Sequence, residues 1–295
     1  MTDRSHRGTI FLEEGEVIEQ AAWPADQYIL RVRAPRCAAA ARPGSFAHVT
    51  CDPELPMRRP LSIMRADPVA GTVDFLYKIV GHGLTLLSRR KTGDRVSVLG
   101  PIGQPFRPRR ERPRALLVGG GVGIPPMVFL AERLAADTAT PWQPLVLMGS
   151  EVPFPFDLVD AGSHFHLPSA ASSALSEMEA LGVPSRLASR AGLAGCYDGF
   201  VPSLAEEWLS GLDAKGLAET EIFACGPTPM LAATAEVARR LELPCQVSLE
   251  EYMACAVGGC AGCTVAVRTP DGVAMKRVCV DGPVFDAEAV FPPAA

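Results

Sequence analysis

The strongest constraint on this chain is the spacing of four cysteines near its C-terminus. Cys255, Cys260 and Cys263 crowd one loop as C-x4-C-x2-C, and Cys279 stands alone further on. Three thiolates on a loop and a fourth on a returning segment match the spacing that wraps a [2Fe-2S] cluster. The intervening residues are small, which lets main-chain N–H groups turn toward the sulfurs and tune the potential. Two other uses of four cysteines compete. Structural zinc usually takes two close pairs rather than three cysteines in one loop, and disulfides need an oxidising compartment.

The remaining five of nine cysteines, Cys37, Cys51, Cys196, Cys225 and Cys245, are scattered, which suits reduced thiols better than a disulfide framework. Met1 to Gly8 is polar where a signal peptide would be apolar, and no apolar run reaches the roughly 18 residues of a membrane span. The expectation is a cytoplasmic protein with no membrane contact. A formal charge of −5 argues against a nucleic-acid partner. At 295 residues and 48% hydrophobic content the chain has material for two or three domains.

From Glu14 to about Gly100 the sequence reads as short strands with turns between them: 27–34, 45–51, 60–64, 73–80 and 95–99, with a turn or two of helix at 84–91. That pattern predicts a small antiparallel barrel. Pro101 to Arg114, with five arginines after Phe106, reads as a linker. Beyond it the period changes. Strands at 115–118, 144–148, 186–188 and 221–224 alternate with helices at 126–136, 174–181, 202–210 and 228–241, which predicts βαβ units and a parallel sheet. The last segment carries the cysteine loop and a strand pair, 264–268 and 273–278. The expected domains are 1–110, 111–243 and 244–295.

Leu117 to Pro126 is a glycine-rich turn in which Gly119, Gly120, Gly121 and Gly123 would let a pyrophosphate approach the backbone at a helix start. A tight strand-to-helix connection would look the same. Cys225-Gly226-Pro227 ends a later strand, facing the crevice where such sheets bind ligands, or simply turns into a helix with Thr228 as cap. Arg59-Pro60-Leu61-Ser62 offers a guanidinium for phosphate and a hydroxyl for a ring nitrogen. Taken alone, Arg59 and Lys78 read equally as solvated charges and Tyr77 as a core aromatic.

In this order the motifs resemble the ferredoxin-reductase superfamily. The C-terminal cysteine segment makes the chain similar to the electron-transfer subunits of B-type dihydroorotate dehydrogenase, from Pro43-Gly-Ser-Phe46 to Phe285. The resemblance implies three parts: an antiparallel β-barrel for FAD, an α/β parallel-sheet domain for the nicotinamide, and a small [2Fe-2S] domain. It implies that Arg59, Pro60, Leu61, Ser62, Leu76, Tyr77, Lys78, Gly83 and Leu84 hold FAD. It places NAD on Gly119, Gly120, Gly121, Gly123, Gly226 and Pro227 with Cys225 beside the nicotinamide, and iron on Cys255, Cys260, Cys263 and Cys279. Members commonly have Gly-Thr where this chain has Gly83-Leu84 followed by Thr85, and glycine where it has Ala256.

Glu151 suits a ribose hydroxyl and favours NAD, whereas Ser189-Arg190 resembles the pair of NADP-dependent reductases; NAD is the expectation. His164 and His166 read as loop residues rather than ligands. Val257 and Phe285 could be interface or core. The implied partner is an FMN-containing catalytic subunit, in a heterotetramer of two of each, that oxidises dihydroorotate in pyrimidine biosynthesis. The implied rivals are a subunit serving ferredoxin or a hydrogenase, and a non-catalytic redox sensor.

Overall fold

The computed structural model describes residues 9–162 and 167–293. The first part runs β1 (Phe11–Trp23), β2 (Gln27–Arg33), α1 (Pro35–Ala40), β3 (Phe46–Val49), β4 (Arg59–Asp67), β5 (Thr72–Lys78), α2 (Gly81–Leu87) and β6 (Arg95–Ile102). Its strands close as an antiparallel barrel in the order β1-β2-β5-β4-β3-β6. Side-chain alternation sends Ala47, Val49, Leu61, Ile63, Phe75 and Tyr77 into the barrel core. The opposite parity of β4 and β5 carries Met64 and Leu76 to the core of the next part.

That part comprises β7 (Arg114–Gly120), α3 (Ile124–Ala136), β8 (Gln143–Gly149), β9 (Leu158–Asp160), β10 (Ser173–Leu175), α4 (Ser176–Ala180), β11 (Ser185–Ser189), β12 (Tyr197–Asp198), α5 (Val201–Ser210), α6 (Ala214–Ala218), β13 (Thr220–Cys225), α7 (Thr228–Arg240) and β14 (Cys245–Ser248). The chain ends with β15 (Thr264–Thr269), β16 (Gly272–Arg277), β17 (Val284–Asp286) and α8 (Ala287–Val290). The main sheet has the order β12-β11-β8-β7-β13-β14-β17, parallel except for the antiparallel pair of β14 with β17. Chain order reverses between β7 and β13, the switch point where open sheets of this kind bind ligands. α3 packs on the barrel side of the sheet; α5, α7 and α8 cover the other.

Several elements depart from the sequence expectation. β1 was not expected: it is a glutamate-rich, half-exposed strand held by ladders to β2 and β6 on both sides. β6 extends to Ile102, because Phe46 pairs with Ile102 inside the stretch that composition marks as linker. The helix expected at 174–181 is a strand followed by a five-residue helix, since Ser173–Leu175 pairs with β9. The helix expected at 84–91 begins three residues earlier and ends at Leu87.

The proline-rich connection is fixed against β13 and β14. Arg107 N–H donates to Gln246 Oε1 (3.0 Å) and Arg109 N–H to the buried Glu221 (3.0 Å), and Phe106 meets Phe223 edge to face at 5.7 Å. Across the interface between barrel and sheet, Arg65 of β4 pairs with Glu132 of α3 at 2.5 Å and Glu177 of α4 at 2.6 Å. Burial works against the Arg65 charge, and the two carboxylates outweigh it, so its pKa is raised. Arg65→Leu would leave two facing carboxylates without their cation. The expected cost is about 2 kcal/mol after allowing for their partial exposure, seen as a lower urea midpoint. An unchanged midpoint would show the triad to be idle.

Among the described residues no helix is long and apolar enough to cross a membrane.

Candidate functional site

The four motif cysteines stand as two pairs. Cys263 and Cys279 are buried with their sulfurs 3.4 Å apart. Two sulfurs on one tetrahedral metal stand about 3.8 Å apart for bonds near 2.3 Å. Cys255 and Cys260 form the second pair, with Cys260 exposed and its N–H donating to Cys255 Sγ at 3.4 Å. Burial pushes the Cys255 thiol up, but N–H groups of Cys260, Val257 and Gly259 outweigh it and bring the thiol to about 7. Burial, the Cys263 sulfur and nearby charge lift Cys279 to about 12. Among the described residues no three His, Cys, Asp or Glu side chains close on one point as a single-ion site. Two sulfur pairs ringed by main-chain donors fit a two-iron cluster.

The loop takes this shape through left-handed residues. Ala256 and Ala261 both lie at φ 54°, and Gly258 at 81°. Ala256 therefore occupies a conformation that glycine adopts at no steric cost; an alanine there costs of order 1 kcal/mol. Arg277 braces the loop by donating to the Gly258 carbonyl at 3.0 Å. The inner pair, Cys263 and Cys279, packs with Phe46 of β3 and Ile102 of β6, so the cysteine segment sits directly on the barrel. Val257 is half exposed, while Phe285 joins this apolar contact.

On the barrel, Arg59, Pro60, Leu61 and Ser62 open β4, Leu76, Tyr77 and Lys78 end β5, and Gly83 and Leu84 lie in α2. Arg59 and Gly83 meet: a Cβ at Gly83 would stand 2.8 Å from the guanidinium, so only glycine leaves Arg59 its place. Leu61 and Tyr77 point inward. Tyr77 is 1% exposed, stacks on Tyr28 at 5.5 Å and donates its hydroxyl to Gln20 Oε1 at 2.9 Å. Its side chain braces the barrel, and only its main chain could serve a ligand outside. Thr85, next to the departure from Gly-Thr, donates its hydroxyl to the Gly81 carbonyl at 3.1 Å.

The glycine-rich turn and the Cys225-Gly226-Pro227 turn come together at the switch point, where Gly119 and Cys225 are ladder partners. A Cβ on Gly123 would meet the Cys225 carbonyl at 2.4 Å, and one on Gly120 would meet Met230 Sδ at 2.4 Å. Gly121 sits at φ 55° with open space before it, a cradle into which a pyrophosphate could approach. The Cys225 thiol is buried; burial first, and the Glu250 carboxylate second, push it up, so it stays a neutral thiol. At the ends of neighbouring β8 and β11, the Glu151 carboxylate accepts from Arg190 N–H at 3.3 Å, and the Arg190 guanidinium lies 5.3 Å over Phe200.

Glu250 had no sequence signal beyond its place before the cysteines. Its carboxyl is recessed although the residue keeps exposed surface, and burial raises its pKa. With Gly226, Pro227, Leu249 and Val265 it lines a cavity of about 240 Å³ between the Cys225-Gly226-Pro227 turn and the cysteine segment. Phe46, which links barrel and cysteines, read only as a strand residue. His164 and His166 lie outside the described residues.

Residues 250–291 match the iron-sulfur cluster binding domain of dihydroorotate dehydrogenase B. The chain is 34% identical over 249 residues to the dihydroorotate dehydrogenase B (NAD(+)) electron transfer subunit of Caldanaerobacter subterraneus subsp. tengcongensis, covering 84% of this chain and 87% of that one. Against the same subunit of Geobacillus thermodenitrificans identity is 36% over 255 residues, covering 84% and 86%. An NADH-dependent reduced ferredoxin-NADP oxidoreductase structure superposes with a TM-score of 0.73 at 26% identity, over 94% of this chain and 90% of that one.

Barrel, parallel-stranded sheet and four-cysteine segment, in that order, define an oxidoreductase of the ferredoxin reductase-like fold with flavin, nicotinamide and iron–sulfur sites. Within that class the chain belongs to the family of electron transfer subunits of dihydroorotate dehydrogenase B (NAD(+)).

Proposed function

We propose that this chain carries electrons from dihydroorotate oxidation on a catalytic partner to NAD+, in the cytoplasm, as a step of pyrimidine biosynthesis. One observation carries the reading. The barrel's strands β6-β3-β4-β5 are neighbours, and the residues read as the three sites lie on or beside them. The cysteines pack on β3 and β6, Arg59–Ser62 opens β4, and β5 runs beside the Gly121–Gly123 turn. Three strand spacings amount to about 14 Å, which supports a short path between the three proposed sites.

When bound, the cluster moves one electron at a time, and FAD exchanges single electrons or a hydride with the nicotinamide. The chain supplies the positions. Arg59, lodged over Gly83, and Lys78 set cations for the flavin pyrophosphate. Pro60, Ser62, Leu76 and Leu84 shape the flavin face, with Leu61 and Tyr77 fixing its strands from inside. Gly119, Gly120, Gly121 and Gly123 let NAD approach the start of α3, and Gly226 and Pro227 hold the opposite wall. Cys225 acts by shape, as a neutral thiol beside the nicotinamide. Glu151 accepts a ribose hydroxyl, which supports NAD over NADP. Cys255 and Cys260 hold one iron, Cys263 and Cys279 the other. Dihydroorotate binds the partner, an FMN-containing subunit, two of each forming a heterotetramer.

The test is to purify the complex anaerobically from its native cell and follow NAD+ and NADP+ reduction with dihydroorotate. Reduction of NAD+ at a rate at least about 10-fold above NADP+ is expected. A complex that ignores dihydroorotate and reduces ferredoxin would instead support a second reading, favoured by the likeness to the ferredoxin-NADP oxidoreductase structure.

A further inference from the structure

Arg277 ends β16 in the middle of the cysteine segment. Its ladder partner is Thr264, the residue after Cys263, and it stands two residues before Cys279. From this base beside the inner pair its side chain reaches the loop of the outer pair, where Nη1 donates to the Gly258 carbonyl at 3.0 Å. Gly258 lies at φ 81°, and a Cβ there would stand 2.6 Å from Val280 Cγ2 and 3.3 Å from Arg277 Nη1, so the close approach is built around a glycine. Asp281 holds the base of Arg277: its carboxylate accepts the Arg277 main-chain N–H at 2.7 Å and lies 3.8 Å from Nε.

Gly258 and Gly259 share one planar peptide, and in its trans form the carbonyl and the N–H point in opposite directions. Fixing the Gly258 carbonyl on Arg277 therefore turns the Gly259 N–H away from the guanidinium. That N–H is directed at the Cys255 sulfur, together with those of Val257 and Cys260, the last at 3.4 Å. Among the described residues no other side chain donates to a carbonyl between Cys255 and Cys260, so Arg277 alone fixes this peptide from outside the loop. Main-chain donors on a thiolate sulfur spread its negative charge. An added electron makes the cluster more negative still, so such donors raise its reduction potential.

We propose that Arg277 is a positioning residue for the cluster: by holding the Gly258 carbonyl it keeps the Gly259 N–H on the Cys255 sulfur and so raises the reduction potential. Asp281 balances its charge, which leaves the peptide rather than the charge to carry the effect. The assignment rests on the reading of the four cysteines as iron ligands.

The test uses the full chain with its cluster loaded anaerobically and its glycines labelled with 15N, as wild type, Arg277→Met and Arg277→Lys. The reduction potential, the 15N couplings in the pulsed EPR signal of the reduced cluster, and iron release to a chelator are measured. Gly259→Ala keeps the N–H, removes its label and adds a Cβ that meets nothing within 4 Å, so the coupling it abolishes is that of Gly259. Arg277→Met should lose the Gly259 coupling and release iron about 10-fold faster. Its equilibrium constant for reduction should fall about 10-fold, which is about 59 mV for one electron. Arg277→Lys keeps the charge without the planar fork, and its potential should follow its Gly259 coupling, whether both fall or both persist. A lysine variant with the wild-type potential and no Gly259 coupling overturns the proposal, because charge alone then sets the potential. An unchanged potential in Arg277→Met overturns it as well. The wild-type signal is a readout that survives if Arg277→Met does not fold: a reduced cluster without a Gly259 coupling overturns the proposal while the iron reading stands. A wild-type chain that takes up no cluster removes the iron reading itself, and this proposal with it.

Discussion

Cys279→Ser should cut dihydroorotate-driven NAD+ reduction by about 100-fold or more while NADH still reduces the bound flavin and drives dye reduction. Loss of groups that merely support a metal ligand already costs up to about 100-fold, and Cys279 is proposed as a ligand itself. Like Cys263 it is buried, and the two pack against Phe46 and Ile102. A serine hydroxyl gives up its proton far less readily than a thiol and is a poor partner for iron. The flavin strand β4 and the glycine-rich turn do not pass through Cys279, so the nicotinamide half-reaction should persist. Iron content and the EPR signal of the reduced protein would fall together with the overall rate. Should the variant lose its iron yet carry electrons from dihydroorotate at the wild-type rate, the path bypasses the cysteines.

Gly123→Ala should do to the nicotinamide site what Cys279→Ser does to the iron. The added methyl would sit 2.4 Å from the Cys225 carbonyl and 2.5 Å from Gly226 Cα, both main-chain atoms that cannot rotate away. Either the turn opens or β13 shifts from β7. Overpacking of this kind costs about 1–3 kcal/mol, and the displaced turn should raise the KM for NADH by at least about 10-fold. Gly121→Ala is the control, because its Cβ meets nothing within 4 Å, although its left-handed φ carries a smaller strain. Thermal melting and NADH kinetics on the two variants separate strain from blocked approach. An unchanged KM in Gly123→Ala would mean that the seam between the two turns does not shape the site.

The cysteine spacing was legible because it reads as a ligand set outright, and the structure brings Cys263 to Cys279 and Cys260 to Cys255. The strands of β2, β4 and β5 were legible through their β-branched and aromatic residues. β1 was not, since Glu13, Glu14, Glu16 and Glu19 hide its alternation and its place comes from ladders to distant strands. β14 is four residues long and reads as nothing by itself; β13 and β17 make it a strand. Of the site, Arg59 and the glycines were visible as residue types, but the lodging of Arg59 over Gly83 and the contact of Gly123 with Cys225 are close approaches that no local pattern encodes. Glu250 belongs to the same group, its place beside the Gly226-Pro227 turn coming from the fold alone.

The pairing of β14 with β17 has a further corollary. Ser248 and Val284 are ladder partners, and Leu249 N–H donates to the Pro283 carbonyl at 2.9 Å, so residues 249–283 leave the sheet and rejoin it at one doorway. An excursion anchored this way resembles a cassette: shortening it to a tight hairpin would leave the neighbouring strands their register. Its loss would uncover Phe46 and Ile102, the barrel residues it buries.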